Sequence, residues 1–373
     1  MKVLFLANVP APYRVDFFNE LGKYCELTVL FEKRTSDERD TTWKNYEFQT
    51  FQGVFLCGQS ISTDAAVCPS VISYIKQKQY DVIICTTFTD PTGMMAVQYM
   101  KAHGIHYYLE CDGGFAKNGR GIKEKVKKHF IQGAEGYFST GKYCDEYYLQ
   151  YGAKQEKLIR YPFASLHEAD IMARPMCEDE KKKLKERLHI REDKAVLAVG
   201  QFIYRKGFDV LLDAAKNLPN DVGVYFVGGD ATNEYLSIQR ENHLENVHFV
   251  GFKAKKELAQ YYLAADVFVL PTREDIWGLV IGEAMAFGLP VITTNKCAAG
   301  VELISGNGFI VDPDNSPALS KCINTVLKDS DLREEMAIRS LSQVRRYSIE
   351  QMTRVHVDYL QSKHGKPQKR AVG

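Results

Sequence analysis

Residues 266–292, DVFVLPTREDIWGLVIGEAMAFGLPVI, are the stretch that decides the fold of this chain. A short apolar run, Val267–Leu270, stops at Pro271, which predicts a buried parallel strand. A polar turn follows, and a helical pattern begins near Gly278. A strand, a turn and a helix in this order form one unit of a parallel α/β fold. Ligands of such folds bind at the carboxyl ends of the strands.

Two carboxylates flank the start of this helix. Asp275 precedes it, and Glu283 lies about one and a half turns inside it. Because helical side chains lean toward the N-terminus, Glu283 reaches back toward the space that Asp275 faces. Between them the amides of Gly278, Leu279 and Val280 favour an anion such as a phosphate. This is the layout that the ribose, diphosphate and hexose of a nucleotide sugar require.

A simpler alternative is that Glu274 and Asp275 only favour the helix dipole and that Glu283 is solvated. The sequence pattern that continues from Glu283 to Ile292 argues against this simpler alternative. The run Glu283–Ile292 resembles the acidic motif, E-x7-E followed by Ala-Met-Ala-x-Gly-x-Pro-Val-Ile, of retaining glycosyltransferases of family four, or group 1, which have the GT-B fold. Asp275 stands where that family usually has Glu. The resemblance implies that Glu283 holds the ribose, with Glu274 beside it in the donor site, and that Asp275 holds the hexose.

A second motif follows the strand Val196–Val199. Arg205 and Lys206 lie at the carboxyl edge of that strand, where two cations suit a diphosphate leaving group. Arg-Lys pairs are also common on surfaces, so this signal is weak by itself. The resembled family carries a phosphate-binding Gly-Arg…Lys-Gly pattern here, which implies that Lys206 binds phosphate. Gln201 occupies the place of the family arginine.

Two further segments complete the expected donor site. Gly228 and Gly229 end a strand at a point where the backbone can approach a nucleotide closely, although a plain turn explains them equally well. Phe252 and Lys253 resemble the family segment whose backbone reads the base edge.

The N-terminal half is expected to bind the acceptor. Its first strand leads into a loop without glycine, residues 8–14, which excludes a G-x-G-x-x-G dinucleotide site. Pro12 stiffens this loop, and we expect Arg14 to project into the cleft. Asp112 stands near the place where the family often has a histidine at the reacting centre. It either binds a sugar hydroxyl or acts as a base, or it only caps a turn.

A basic amphipathic helix is predicted within residues 118–130, NGRGIKEKVKKHF, with an apolar stripe at Ile122, Val126 and Phe130. Two interpretations stand side by side: peripheral contact of Arg120–Lys128 with an anionic membrane surface, or a helix that covers its own core. The D-x-D-like Asp312 and Asp314 are rejected as a metal site, because they follow a strand and turn at Pro313, and no acidic cluster is near them in sequence.

Composition restricts the class of protein. The chain has 373 residues, 45% of them hydrophobic, and a formal net charge of +1, which argues against a nucleic-acid partner. No apolar run reaches the length of a membrane span. Nine scattered cysteines predict reduced thiols, and we therefore expect a cytoplasmic protein, with peripheral contact to the inner membrane face if the basic helix binds lipid.

The predicted architecture is α/β with two Rossmann-like domains facing a cleft. We expect an acceptor-binding domain at 1–172, a nucleotide-sugar-binding domain at 173–347, a helix at 348–361 that returns to the first domain, and a basic disordered tail at 362–373. The charged segment EDEKKKLKER is expected to be a solvated helix face.

The expected activity is transfer of a hexosyl or N-acetylhexosaminyl group from a nucleotide sugar, with UDP favoured, to a glycan or lipid-linked glycan acceptor, with retention. The resemblance implies no cofactor and no metal. The competing hypotheses are a GT-B nucleotide-sugar epimerase, a pyridoxal-type sugar phosphorylase, and a non-catalytic scaffold that binds nucleotide sugars.

Overall fold

The computed structural model describes residues 1–34, 47–77, 79–117, 119 and 121–364. The chain divides into two compact units: Met1–Ser165 together with the segment from Ser348 onward, and Leu166–Tyr347. Each unit has its own mainly parallel sheet with crossover helices, so the predicted α/β class with two Rossmann-like units is confirmed. Residues 166–172 lie in the second unit, whereas the sequence placed them in the first domain.

The first unit contains a seven-stranded parallel sheet in the order β3-β2-β1-β6-β7-β8-β9 and a small hairpin, β4-β5. Its strands are β1 Lys2–Ala7, β2 Glu26–Phe31, β3 Gln52–Phe55, β4 Gln59–Ser60, β5 Ala66–Val67, β6 Val82–Cys85, β7 Tyr108–Glu110, β8 Gly136–Ser139 and β9 Leu158–Arg160. Its helices are α1 Pro12–Leu21, α2 Val71–Lys76, α3 Pro91–Ala102, α4 Ile122–Ile131 and α5 Lys142–Gln150.

The second unit contains a six-stranded parallel sheet in the order β12-β11-β10-β13-β14-β15. Its strands are β10 Lys194–Val199, β11 Val222–Val227, β12 Val247–Gly251, β13 Val267–Leu270, β14 Val291–Thr294 and β15 Gly308–Val311. Its helices are α6 Glu178–Arg187, α7 Phe208–Ala215, α8 Asn233–Glu241, α9 Lys255–Ala264, α10 Leu279–Ala286, α11 Ala298–Leu303, α12 Ser316–Lys328 and α13 Ser330–Val344.

The last helix, α14 Ile349–His364, belongs to the first unit and packs against α1. The predicted return of the C-terminal helix is thus confirmed, but the helix runs through His364. Residues 362–364 are therefore helical and not part of a tail, and residues 365–373 lie outside the described residues. Ile349, Met352 and Leu360 of this helix are buried, and Val355 is partly buried.

The charged helix α6 corrects a second expectation. Lys181 and Lys185 are less than one-tenth exposed, because both ammonium groups pair with the fully buried Asp266 at 3.4 and 2.8 Å. One face of this charge run is therefore an internal ion cluster and not a solvated surface. Among the described residues, none of the helices combines the length and apolar composition that a membrane crossing requires.

Candidate active site

The two loops that carry the main motifs lie together because of the sheet topology. In the second unit the strand order reverses between β10 and β13: β11 and β12 extend to one side, and β14 and β15 to the other. In open parallel sheets the ligand crevice lies outside the carboxyl ends of the strands at such a reversal. The loops after β10 and β13 meet at this position.

The centre of the site is a contact between these two loops. Lys206 Nζ lies 2.7 Å from Asp275 Oδ2, and Arg205 Nη1 lies 3.8 Å from the same oxygen. The backbone of Asp275 is fixed as well: its amide donates to Lys296 O at 2.8 Å, and its carbonyl accepts from Ala298 N at 3.1 Å. Asp275 is only 6% exposed, while half of the Arg205 side chain faces solvent. The structure thus brings a fixed carboxylate and two cations to one point.

Glu283 lies on α10, in the second turn of the helix. Tyr262, on α9, donates its hydroxyl to Glu283 Oε2 at 3.1 Å, and its ring stacks on Phe287 at 5.2 Å. Burial, and then the neighbouring carboxylate, raise the pKa of Tyr262 well above its usual range, so this hydroxyl stays a donor. Tyr262 orients Glu283. The sequence motifs carried no signal for it, because it comes from a different helix.

Helix α10 begins where the sequence pattern predicted a helix start. α10 begins at Leu279, and Gly278 precedes it with φ 94°. The first helical amides, at Leu279 and Val280, have no acceptor within an α-helix, which leaves them able to bind an anion. Glu274 and Gln201 are exposed on the loops beside this helix start and beside β10, respectively.

The glycine pair after β11 lies against the loop after β10. Gly228 has φ 133°, and a Cβ built there would lie 2.5 Å from Gly200 O, so only glycine fits. A Cβ at Gly229 would meet no atom within 4 Å, which leaves open space above this turn. After β12, Phe252 is half exposed and Lys253 is partly buried. These segments also end at the carboxyl edge of the sheet.

Arg14 and Asp112 lie in the first unit, and Arg14 corrects the sequence prediction. The Arg14 side chain lies on α1, is 5% exposed, and pairs with both Glu110 and Asp112. It is therefore a buried structural cation and does not project outward from a loop. Pro12 is exposed as the first residue of α1. Asp112 is partly exposed, and its other oxygen accepts a long hydrogen bond of 3.4 Å from Tyr13.

Glu110 and His356 form the rest of this buried network, which the sequence did not reveal. His356 Nε2 lies 3.0 Å from Glu110 Oε2, and the His356 ring stacks on Phe138 at 4.4 Å. Burial alone would raise the pKa of Glu110, but Arg14 and His356 lower it to about 2. The network joins α1, β7 and α14 within the first unit.

The rejected metal motif is used for internal contacts. Asp312 accepts a hydrogen bond from Asn295 Nδ2 at 2.5 Å, and Asp314 pairs with Arg273 at 2.7 Å. Within the described part of the chain, no group of three or more His, Cys, Asp or Glu side chains could hold a metal ion.

The basic helix α4 does not cover the core with its whole apolar stripe. Ile122 is 81% exposed and Val126 is 37% exposed. The helix is instead attached through Glu124, which accepts from Tyr151, and through Lys127, whose ammonium lies 5.2 Å from the centre of the same ring. Arg120, the first residue of the predicted membrane contact, lies outside the described residues.

Comparison with solved structures identifies the fold class. Anabaena HepE, solved in complex with UDP, matches 97% of this chain and 100% of its own chain, with a TM-score of 0.80 and 20% sequence identity. HepE has also been solved with UDP-glucose. The protein thus has the GT-B fold of two Rossmann-like units.

Sequence comparison adds a family match in the second unit. Residues 179–342 match the model for glycosyl transferases group 1. An uncharacterized glycosyltransferase of Haemophilus influenzae is 30% identical over 177 residues, which cover 45% of this chain and 49% of the relative. The amylovoran biosynthesis glycosyltransferase AmsD of Erwinia amylovora is 28% identical over 149 residues, 39% of this chain and 42% of the relative. The chain spans about half the length of these relatives, and its residues 179–342 are similar to the group 1 glycosyltransferases.

Proposed function

We propose that this protein transfers a hexosyl or N-acetylhexosaminyl group from a nucleotide sugar, UDP-linked by preference, to a glycan or lipid-linked glycan acceptor. The observation that carries the proposal is the meeting of Lys206, Arg205 and Asp275 at the strand-order reversal, next to the N-terminus of α10. UDP is preferred because the similar structure of HepE was solved with UDP and UDP-glucose. Bacterial polysaccharide biosynthesis is the context suggested by relatives such as AmsD.

Each part of the donor has a matching group. Lys206, Arg205 and the amides of Leu279 and Val280 neutralise the diphosphate as the glycosidic bond breaks. Glu283, held by Tyr262, accepts from the ribose hydroxyls. Asp275 accepts from hexose hydroxyls. The open turn at Gly228 and Gly229 and the segment Phe252–Lys253 line the nucleoside side.

We propose retention of the anomeric configuration, with departure of the diphosphate and attack of the acceptor on the same face of the sugar. In this scheme a phosphate oxygen of the leaving group takes the acceptor proton, so no dedicated protein base is required. No metal ion is needed either, because Lys206, Arg205 and the helix amides provide the positive charge at the diphosphate.

Asp112 is proposed as the acceptor-side residue of the first unit. Its partly exposed carboxylate pairs with Arg14, which fixes its direction. A carboxylate oxygen held in this way accepts a hydrogen bond from a sugar hydroxyl. The exposed apolar residues of α4, with the lysines that flank them, are proposed to contact an anionic membrane surface where lipid-linked acceptors reside.

The test is acceptor-dependent turnover. The protein is incubated with UDP-glucose, UDP-galactose and the corresponding N-acetylhexosamine donors, with and without a panel of glycan acceptors. We expect UDP release to depend on an acceptor, and proton NMR of the product to show the donor's anomeric configuration. Interconversion of nucleotide sugars without acceptor would identify an epimerase instead. Donor binding without any turnover would identify a scaffold.

A further inference from the structure

The loops after β10 and β13 are joined by more than the Lys206–Asp275 pair. The amide of Arg273 and the hydroxyl of Thr272 both donate to Arg205 O, each at 2.7 Å. Gly207 closes the turn with φ 66°, and a Cβ there would lie 2.1 Å from Pro271 O. The two backbones are therefore in direct contact, and only glycine permits this approach.

The Arg273 side chain holds the other end of the same turn. Its Nη1 donates to Tyr204 O at 2.7 Å, and its guanidinium carbon lies 4.1 Å from the centre of the Tyr204 ring. Tyr204, Arg205 and Lys206 form one short 3-10 turn. Arg273 thus contacts the turn immediately before the two cations that we assign to the donor diphosphate.

Two carboxylates fix Arg273 in this position. Asp209, on α7, accepts from Nη1 and Nη2 at 2.9 and 2.5 Å, and Asp314 accepts from Nε at 2.7 Å. The Arg273 side chain is only 14% exposed. A guanidinium bound in this fork geometry has a fixed direction, which a lysine ammonium in its place would not have. Because its donors are directed at protein groups, Arg273 acts on the turn and not on the substrate.

We propose that Arg273 is a positioning residue of the donor site: anchored by Asp209 and Asp314, it clamps the turn Tyr204–Lys206 so that Arg205 and Lys206 are preorganised for the diphosphate. This inference rests on the proposed function. It gives Asp314, the second acid of the D-x-D-like motif, a role that does not involve a metal. Without the clamp, the turn must become ordered when the donor binds, and this lowers affinity.

The experiment measures binding of UDP by calorimetry to wild type, Arg273→Met, Lys206→Met and the double variant. Arg273→Met retains the bulk of the side chain and removes the fork. We expect it to weaken UDP binding by about tenfold, and to change affinity by less than about twofold when Lys206 is already Met, because contacting groups are not additive. A residue that only stabilises the fold would lower the melting temperature equally in both backgrounds and would show no such coupling in UDP affinity.

Two further variants make the outcome decisive. Asp314→Asn removes one anchor from a half-exposed site, and we expect a smaller loss of UDP affinity, about twofold to threefold. If Arg273→Met does not fold, the UDP affinity of Asp314→Asn tests the role of Arg273 instead. Arg339→Met, which removes an exposed arginine paired with Glu335 in the same unit, is the matched control.

A folded Arg273→Met protein that binds UDP within twofold of wild type, or whose loss is undiminished in the Lys206→Met background, would overturn the clamp while the proposed function stands. If wild type binds none of UDP, GDP, ADP and TDP, the proposed function itself fails.

Discussion

Lys206 Nζ and Asp275 Oδ2 lie 2.7 Å apart, so the cation assigned to the diphosphate and the carboxylate assigned to the hexose share one hydrogen bond. The two residues are 69 positions apart in sequence and meet only through the parallel packing of β10 and β13. Each therefore fixes the direction of the other. Substitution of either residue should disturb both halves of the donor site.

Lys206→Ala is expected to lower acceptor-dependent turnover by about 10²–10³-fold, because a preorganised donor to developing charge is lost. The loss leaves Asp275 nearly buried, with Arg205 at 3.8 Å. Gln201→Arg, which adds a cation at the exposed position that the sequence resemblance assigns to an arginine, should be tolerated. Steady-state kinetics measure the turnover of both variants, and circular dichroism checks that they are folded. Turnover of Lys206→Ala within threefold of wild type would show that the diphosphate binds elsewhere.

Glu283→Gln is expected to weaken donor binding by about tenfold to a hundredfold, because a hydrogen bond to a charged group contributes roughly 1.5–3 kcal/mol. The amide can still accept from Tyr262, so the helix should stay in place. Glu234→Gln, at an exposed position on α8, is the matched control. Calorimetry with UDP measures the change. Equal affinities for all three proteins would remove Glu283 from the ribose site.

Activity is expected to persist in excess chelator, because the proposed charges at the diphosphate come from Lys206, Arg205 and helix amides. Asp312→Ala should retain most of its turnover for the same reason. The measurement is turnover after exhaustive EDTA treatment, with and without added Mn²⁺ or Mg²⁺. A complete loss that either ion restores would contradict the proposed mechanism.

Acid stability is expected to depend on Glu110. Its pKa is lowered to about 2 in the folded protein, so its contribution to the free energy of unfolding is fully present above pH 4.5 and is lost as the pH falls toward 2. Glu110→Gln leaves Arg14 and His356 without their buried carboxylate and should cost roughly 3–5 kcal/mol at neutral pH. Its stability should also change less between pH 4.5 and 2 than that of wild type.

Urea unfolding across that pH range measures the effect, with Glu135→Gln, a partly exposed carboxylate in the same unit, as control. If Glu110→Gln and wild type lose stability in parallel between pH 4.5 and 2, the network does not set the acid response.

Binding to vesicles is expected to depend on α4. Replacement of Ile122 and Val126 by serine should reduce sedimentation with phosphatidylglycerol vesicles, because both side chains are exposed and available for insertion. Each basic residue near the surface adds about 1 kcal/mol, so binding should fall with salt and be weak on phosphatidylcholine. Ile338→Ser, at an exposed apolar position of the second unit, is the control. Equal sedimentation of the double variant and wild type would exclude this helix as the contact.

The features that the sequence predicted correctly depend on residues close to one another in the chain. The strand before Pro271, the helix from Leu279 and the turn that carries Lys206 all lie where their patterns place them. These features follow from periodicity, glycine and proline positions, and the rule that parallel strands present ligands at their carboxyl edge. The match to the group 1 family falls on the same segment of the chain.

Contacts between distant residues could not be predicted in this way. Arg14 pairs with Glu110 and Asp112, which lie nearly a hundred residues later in the chain. These two carboxylates allow Arg14 to be buried, whereas the sequence predicted an exposed cation. Lys185 is buried for the same reason, since Asp266 is 81 positions away. A charged residue is read as exposed until its partner is known, and one sequence does not reveal that partner.

The return of α14 to the first unit has a consequence for biosynthesis. A ribosome releases all of the second unit, residues 166–347, before the helix that completes the first one exists. Until then Glu110 lacks its partner His356, and α1 lacks the buried face of α14 against which it packs. The first unit therefore cannot complete its folding at this stage, whereas the second unit can. Truncation from the C-terminus should accordingly damage the N-terminal unit first. A fragment of residues 166–347 is the portion that can be produced as one uninterrupted piece.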